Sequence, residues 1–142
     1  MVQLPQKVTF SHDVAPICMP VEGGAVSKSE CKAIGWGKVG GGEHDPSSPV
    51  LKEVDHNMLS ASECKTQHPE ISDLQVCAGY SQHGVCSGDS GGPLMCKNSQ
   101  GAYVLVGITS YGDKICGGSR PAVFTNVEKY LSWIKRVKTD YP

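Results

Sequence analysis

Apolar and polar residues alternate in several short segments of this chain, a pattern typical of half-buried β-strands. The segment with the most β-branched residues is 102–111, and glycine- or proline-containing turns separate the segments. Residues 1–30 contain several breakers and are predicted to be loop. The predicted strands cover residues 31–37, 51–59, 76–80, 93–97, 102–111 and 122–127.

A helix is predicted at the end of the chain, where apolar residues recur with helical spacing. These residues are Val127, Tyr130, Leu131, Ile134 and Val137. Asn126 is a suitable N-cap, and a short helix has room between Ser60 and Pro69. Six strands with one terminal α-helix predict an all-β fold, a small antiparallel barrel.

Composition narrows the class of protein. The chain has 142 residues, enough for one domain with its own core, and 39% of them are hydrophobic. No apolar run is long enough to span a membrane. Because 13 basic residues nearly balance 14 acidic ones, we expect neither nucleic acid nor an anionic membrane as the main partner.

The seven cysteines stand singly at long intervals, which predicts disulfides formed in an oxidising, extracellular compartment. They show no spacing typical of a zinc site, so we expect no metal and no other cofactor. Seven cysteines allow about 105 schemes with one thiol left over. Residues 1–5 lack the features of a signal peptide, so we expect a piece of a longer secreted protein.

The most specific motif is the segment 86–94, with the sequence CSGDSGGPL. Glycines permit positive φ angles and close backbone approach, so a serine hydroxyl and neighbouring amides can face one point. A glycine-rich turn leading into a strand would explain a lone Gly-Ser-Gly triplet. The longer string GDSGGP at 88–93 is much more specific.

This motif, with others in the same order, resembles the C-terminal half of the trypsin/chymotrypsin family of serine endopeptidases. The other matching segments are GWG at 35–37, VCAGY at 76–80, SYG at 110–112 and the terminal helix with Trp133. The resemblance covers essentially the whole chain. It implies that residues 1–142 form the C-terminal Greek-key barrel of a peptidase domain whose N-terminal barrel is absent.

The resemblance assigns the catalytic roles to one short segment. Ser90 matches the nucleophile, and the backbone amides of Gly88 and Ser90 match the oxyanion hole. Asp89 matches the residue that receives a new N-terminal ammonium after activation cleavage. Ser110, Tyr111 and Gly112 match the segment that pairs with the substrate backbone, although the family usually has tryptophan where Tyr111 stands.

By the same resemblance, the substrate side-chain pocket carries no charge. Gly84 stands where trypsin-like members place the aspartate that receives lysine or arginine. Val85, Gly112 and Ala122 match other pocket positions, while Asp113 and Lys114 are expected nearer the rim. A buried cation there would be unpaired, which costs several kcal/mol. We therefore expect an apolar preference, chymotrypsin-like or elastase-like.

The family's disulfide pattern selects one of the possible schemes. It pairs Cys31 with Cys96, Cys64 with Cys77 and Cys86 with Cys116. Cys18 is then free or bonded to another chain.

The family's catalytic histidine and aspartate belong to the N-terminal barrel. None of the five histidines (His12, His44, His56, His68 and His83) is assigned a catalytic role. The leading hypothesis is therefore a fragment of a secreted serine endopeptidase, acting on polypeptides but inactive without its missing barrel. One alternative is a non-catalytic binding or regulatory protein in which Ser90 is an inherited residue, and another is an unrelated disulfide-rich secreted module.

Overall fold

Six strands form one antiparallel sheet in the computed structural model, which describes residues 1–42, 44–79, 83–113 and 116–140. Their order in the sheet is β2-β1-β4-β5-β6-β3. The strands are β1 (Val26–Gly35), β2 (Lys52–His56), β3 (Gln75–Ala78), β4 (Pro93–Asn98), β5 (Tyr103–Tyr111) and β6 (Ala122–Asn126). Two helices, α1 (Ala61–Gln67) and α2 (Leu131–Asp140), complete the fold, and a turn of 3-10 helix (Val127–Tyr130) leads into α2.

The two outer strands of the sheet, β2 and β3, approach each other beyond the end of β2. Met58 forms an isolated antiparallel bridge with Ala78, and the Leu59 amide donates to the Cys77 carbonyl at 3.0 Å. The sheet therefore curls until its two outer strands meet, which gives it the form of a barrel. The predicted all-β architecture is confirmed.

The first strand is longer than the sequence predicts. β1 begins at Val26, inside the segment predicted to be loop, and Val26 is opposite Asn98 of β4. Residues 28–30 at the start of β1 are exposed and polar, so they carry no alternating pattern. The third predicted strand is observed as β3, whereas Tyr80 at its predicted end lies outside the described residues.

α1 is an additional short helix between β2 and β3, where the sequence left room for one. Its first turn is fixed by a capping box: Ser60 Oγ accepts from the Glu63 amide at 3.3 Å, and the Glu63 carboxylate accepts from the Ser60 amide at 2.8 Å. Two donors at the helix start are thereby satisfied, although the helix has only seven residues.

The terminal helix differs from its prediction at the first turn. The chain winds as 3-10 helix from Val127, and only then as the α-helix α2. Asn126 precedes the turn but its side chain does not cap it. Instead Asn126 Nδ2 donates to the Asp73 carbonyl at 3.1 Å, and its amide donates to the Leu74 carbonyl at 2.9 Å. The side chain thus joins β6 to the loop before β3.

The core lies inside the barrel and is made of small and medium-sized side chains. Gly107 of β5 is packed closely, because a Cβ there would lie 2.8 Å from the Cβ of Phe124. The largest core cluster contains Cys31, Ala78, Leu94, Cys96, Val104, Val106 and Phe124.

Three disulfides join the strands and loops, and they link the same cysteines that the resemblance implies. The pairs are Cys31–Cys96, Cys64–Cys77 and Cys86–Cys116, and Cys18 is an exposed free thiol. The first bond joins residues that stand opposite each other in β1 and β4.

One imidazole lies among the core side chains. His56, at the end of β2, is 2% exposed and packs its ring edge-on against Phe124 with the centroids 6.3 Å apart. Neither ring nitrogen has a hydrogen-bond partner of good geometry among the described residues, although the Asp55 backbone lies close to the ring. Burial lowers the pKa of His56 below its usual value, because the protonated ring would lose its hydration, although nearby Asp55 opposes the shift.

This buried imidazole predicts a pH dependence of stability. The unfolded chain takes up a proton at His56 below about pH 6.5, whereas the folded chain resists protonation. The free energy of unfolding should therefore fall as the pH is lowered from about 6.5. In His56→Leu this part of the fall should be absent, and the exposed control His44→Leu should keep it. Urea unfolding between pH 7 and pH 5 measures the difference, and parallel profiles for wild type and His56→Leu would contradict the prediction.

Candidate active site

Ser90 lies on a tight turn directly before β4. The Asp89 amide donates to the Cys86 carbonyl, and the Gly92 amide donates to the Asp89 carbonyl, both at 2.9 Å. Gly88 has a φ of 101°, in the left-handed region that favours glycine. The turn is joined to β5 because Thr109 and the Gly91–Gly92 pair exchange backbone hydrogen bonds of 2.8 and 2.9 Å.

The carboxylate of Asp89 points inward and binds two backbone amides. Oδ1 accepts from the Gly37 amide at 2.8 Å, and Oδ2 accepts from the Cys86 amide at 2.9 Å. Hydrogen bonds to a charged acceptor are stronger than neutral ones. A Cβ at Gly35 or Gly37 would collide with this carboxylate, which explains why glycines flank Trp36.

The groups predicted to act on a substrate carbonyl, namely two backbone amides and the Ser90 hydroxyl, form no hydrogen bonds within the described part of the chain. Among the described residues, the amides of Gly88 and Ser90 donate no hydrogen bond, and Ser90 Oγ has no partner. Ser90 is exposed. The three groups are therefore available to a molecule bound beside the turn.

A cavity of about 240 Å³ adjoins Ser90. Its lining includes several predicted substrate-binding residues, namely Val85, Ser110, Tyr111 and Gly112, together with Asp113. Tyr111 is 42% exposed, and burial of the rest of the side chain raises its pKa above the usual value. Its ring packs edge-on against His68 with the centroids 5.9 Å apart.

A second, smaller cavity of about 20 Å³ lies beside the first, and the two share Val85, Gly112 and Asp113. Gly84 and Ala122 line the smaller cavity. The structure thus brings the predicted pocket residues Gly84, Val85, Gly112 and Ala122 to two neighbouring cavities, of which the larger adjoins Ser90. Lys114, predicted near the rim, lies outside the described residues.

Histidines are absent from the lining of the cavity that holds Ser90, within the described part of the chain. His68 is buried, and both of its ring nitrogens have contacts. Nε2 contacts the Pro121 carbonyl at 2.9 Å, and Nδ1 lies 3.2 Å from Arg120 Nη2. His12 and His44 are exposed on loops. No described histidine is therefore placed beside the Ser90 hydroxyl to accept its proton.

His56 also lies at the smaller cavity, although the sequence analysis did not assign it to the site. It lines the smaller cavity together with Ala78 and Gly79. The sequence contains a signal for this position. Val54, His56 and Met58 are two positions apart along the strand, so their side chains share one inward face. A polar residue on the apolar face of a strand is unusual enough to be examined as a site residue.

No described group of three or more histidine, cysteine, aspartate and glutamate residues is arranged to hold a metal ion. Within the described ranges, no helix is long and apolar enough to cross a membrane.

Comparison with known proteins agrees with this geometry. The model of the Trypsin family matches residues 1–134. The chain belongs to the trypsin family. It is 35% identical to the serine proteinase stubble of Drosophila melanogaster, over 94% of this chain and 18% of that protein. It is 37% identical to the venom serine protease Bi-VSP of Bombus ignitus, over 92% of this chain and 39% of that protein.

The chain therefore spans well under half the length of these two relatives. Membership of the trypsin family agrees with the antiparallel barrel described above. The structure of this family member contains three disulfides, a C-terminal helix and the serine-bearing turn before β4.

The contacts of Asp89 predict a specific loss of stability. In Asp89→Asn one side-chain oxygen is replaced by an NH₂ group, which would face an amide N–H and cannot accept from it. Leaving that donor unsatisfied should lower the free energy of unfolding by about 1–3 kcal/mol. The control Asp45→Asn, whose carboxylate accepts from the Gly42 amide in an exposed loop, should cost less. Equal losses in urea unfolding would show that the Asp89 contacts carry no special weight.

Proposed function

We propose that this chain is the C-terminal part of a secreted serine endopeptidase that hydrolyses polypeptides, with Ser90 as the nucleophile. The observation that carries the proposal is the grouping at the turn before β4. There an exposed serine hydroxyl and the uncommitted amides of Gly88 and Ser90 adjoin a cavity large enough for a substrate side chain. The Asp89 carboxylate holds the turn from behind.

In this proposal Ser90 Oγ attacks the carbonyl carbon of the scissile peptide bond. The carbonyl oxygen becomes negatively charged and accepts hydrogen bonds from the amides of Gly88 and Ser90. The serine proton passes to a base, which then donates it to the departing amine, and water hydrolyses the acyl-enzyme. Ser110, Tyr111 and Gly112 would pair with the substrate backbone as an added strand.

The base would come from an N-terminal barrel, because no described histidine lines the cavity of Ser90. A groove of about 480 Å³ beside α2 supports such a partner domain. Apolar surface of this kind is usually covered in a complete protein. The groove is lined by Ile108, Thr125, Val127, Tyr130, Trp133 and Ile134.

The N-terminal segment supports the same partner domain. Residues 1–16 are exposed along their whole length, and they include the large apolar side chains of Val2, Leu4 and Phe10. Such a segment needs further protein to pack against. In the proposed protease this protein is the N-terminal barrel, which would also supply the catalytic histidine and aspartate.

Secretion is proposed from the disulfides, because such bonds persist in oxidising compartments. Cys18 is exposed and unbonded, so it is available for a disulfide to another chain or to a preceding segment. Asp89 would receive the ammonium released by activation cleavage, in addition to the two amides that it already binds.

The isolated 142-residue chain should be inactive. Without a base the Ser90 hydroxyl stays protonated at neutral pH and is a weak nucleophile. We expect no hydrolysis of an apolar peptide ester and no labelling of Ser90 by a fluorophosphonate. Joining the chain to an N-terminal barrel, with activation cleavage completed so that the new ammonium can reach Asp89, should produce both, and Ser90→Ala should abolish both.

Labelling of the isolated chain at Ser90 would mean that one of its own histidines serves as the base. If the two-barrel protein is folded but shows neither activity nor labelling, the alternative is correct, and the chain is part of a non-catalytic binding or regulatory protein.

Gly84 supplies no carboxylate at the predicted base of the pocket, and Asp113 and Arg120 in the lining carry opposite charges. We therefore expect lysine and arginine to be rejected as the residue before the cleaved bond. A Cβ at Gly84 would have only ordinary contacts, the nearest at 3.6 Å from Gly117, so a side chain can be placed there. In the two-barrel protein, Gly84→Asp should therefore create cleavage after lysine and arginine, because the carboxylate supplies the missing counter-charge. Gly84→Asn is the matched uncharged control and should not. A peptide library measures this, and cleavage after arginine by the wild type would show that the pocket assignment is wrong.

A further inference from the structure

A buried histidine contacts the wall of Ser90's cavity without reaching the cavity itself. His68 follows α1 and is 3% exposed, and it lines neither of the two cavities described above. Its ring packs edge-on against Tyr111, which does line the cavity of Ser90. Aromatic rings in this arrangement attract each other beyond the gain from burial. Any effect of His68 on a substrate would therefore pass through Tyr111.

Both ring nitrogens of His68 are hydrogen-bonded, and their partners determine which nitrogen carries the proton. Nε2 lies 2.9 Å from the Pro121 carbonyl, which can only accept, so Nε2 is the donor. Nδ1 lies 3.2 Å from Arg120 Nη2, which can only donate, so Nδ1 is the acceptor. The Glu70 carboxylate, at 3.7 Å from Nδ1, is too distant for a hydrogen bond. The neutral ring thus cannot turn without leaving a buried carbonyl unpaired.

The backbone around His68 is held as well. The His68 amide donates to the Cys64 carbonyl at 2.9 Å, and the His68 carbonyl accepts from the Ile71 amide at 3.0 Å. Cys64 is bonded to Cys77 of β3, so the end of α1 is attached to the sheet. A side chain that positions another must itself be fixed by packing and hydrogen bonds, and His68 meets this condition.

The partners of His68 belong to β5 and to the start of β6, which carry predicted pocket residues. Tyr111 ends β5, and Pro121 directly precedes β6. The next residues in the chain, Gly112 and Ala122, lie close together, because a Cβ at Gly112 would be 3.6 Å from the Cβ of Ala122. One imidazole therefore contacts the neighbours of both pocket residues and holds them in one arrangement.

The phenol of Tyr111 lies near the same group of side chains. Burial raises the pKa of Tyr111, the Glu70 carboxylate adds to the rise, and the Arg120 guanidinium opposes it. Both charged side chains beside His68 Nδ1 are therefore close to Tyr111 too. These four residues form a single cluster behind the predicted substrate-binding segment.

We infer that His68 is a positioning residue for extended substrates. By holding the ring of Tyr111 it fixes the end of β5, where Ser110, Tyr111 and Gly112 would pair with the substrate backbone. This inference rests on the proposed function. A substrate backbone held along this segment brings its scissile carbonyl to Ser90 in a constant orientation, so loss of the support should cost reactivity. A substrate too short to reach the segment should be unaffected.

The test compares two substrates in the activated two-barrel protease. One is an ester of a single apolar residue, and the other has the same residue and leaving group with three further residues before it. The ratio of their kcat/KM values measures the gain from extension in the transition state. Active sites are first counted by fluorophosphonate titration, so that both values refer to folded, reactive enzyme.

In His68→Leu this ratio should fall at least about 10-fold, which corresponds to about 1.4 kcal/mol, while kcat/KM for the short ester changes less than about twofold. His68→Gln keeps a donor for the Pro121 carbonyl and an acceptor for Arg120, so it should retain part of the gain, even if His68→Leu yields few active sites. Ser60→Ala is the structural control. It removes the N-cap of the same helix without touching Tyr111 or its partners, and its ratio should stay as in the wild type.

A ratio that is unchanged in His68→Leu overturns the inference. An equal loss for both substrates, or the same fall in Ser60→Ala, also overturns it, because either result reports a general effect on the fold. A ratio in His68→Gln as low as in His68→Leu overturns the role of the two hydrogen bonds.

The wild type separates this inference from the proposed function. If the wild type reacts with fluorophosphonate and with the ester but gains nothing from extension, the inference fails while the peptidase function stands. If it reacts with neither fluorophosphonate nor any substrate, the proposed function fails and the inference fails with it.

Discussion

The Asp89 carboxylate holds the parts of the candidate site together. It binds the Gly37 amide just after β1 and the Cys86 amide at the start of the serine-bearing turn, two positions that are 49 residues apart. Cys86 is in turn bonded to Cys116 beyond β5. One negative charge, shielded from water on one side, therefore sets the distance between β1, the turn and the substrate-binding segment.

This arrangement depends on the absence of side chains. Gly35 and Gly37 make room for the carboxylate, while Gly79 leaves room beside His56. Glycines weaken a strand or turn locally because they lose more backbone entropy on folding. In this protein glycine stands at positions where another residue's polar group lies close to the backbone, and the entropic cost is incurred there. Local preference and site geometry disagree at these glycines, as is common at functional sites.

The sequence predicted the elements whose pattern is local. All six strands were anticipated because their residues alternate or are rich in β-branched types, and the serine-bearing turn was recognised from its own motif. The start of β1 was missed because its pairing with β4 does not show in the polar residues that begin it. Asn126 was expected to cap a helix, but the Asp73 carbonyl, 53 residues away, is its partner.

The candidate site, like the fold, was predictable only where its residues form a local motif. The resemblance supplied Ser90 and its neighbours, whereas the contact between Asp89 and Gly37 joins residues 52 positions apart and depends on the folded sheet. His56 was set aside because it is distant from Ser90 in the chain. Its place beside the smaller cavity follows from the pairing of β2 with β1 and from the closure of the barrel at Ala78.

The strand order also has a consequence for synthesis on the ribosome. The partner of β3 in the sheet is β6, which is made 44 residues after β3. The hairpin of β1 and β2 can form as soon as it emerges, but the barrel interior stays open to solvent until residue 126 has left the exit tunnel. Non-local pairings of this kind are slow to form and leave apolar surface exposed in the meantime. The nascent chain therefore exposes this apolar surface until its last strand has paired.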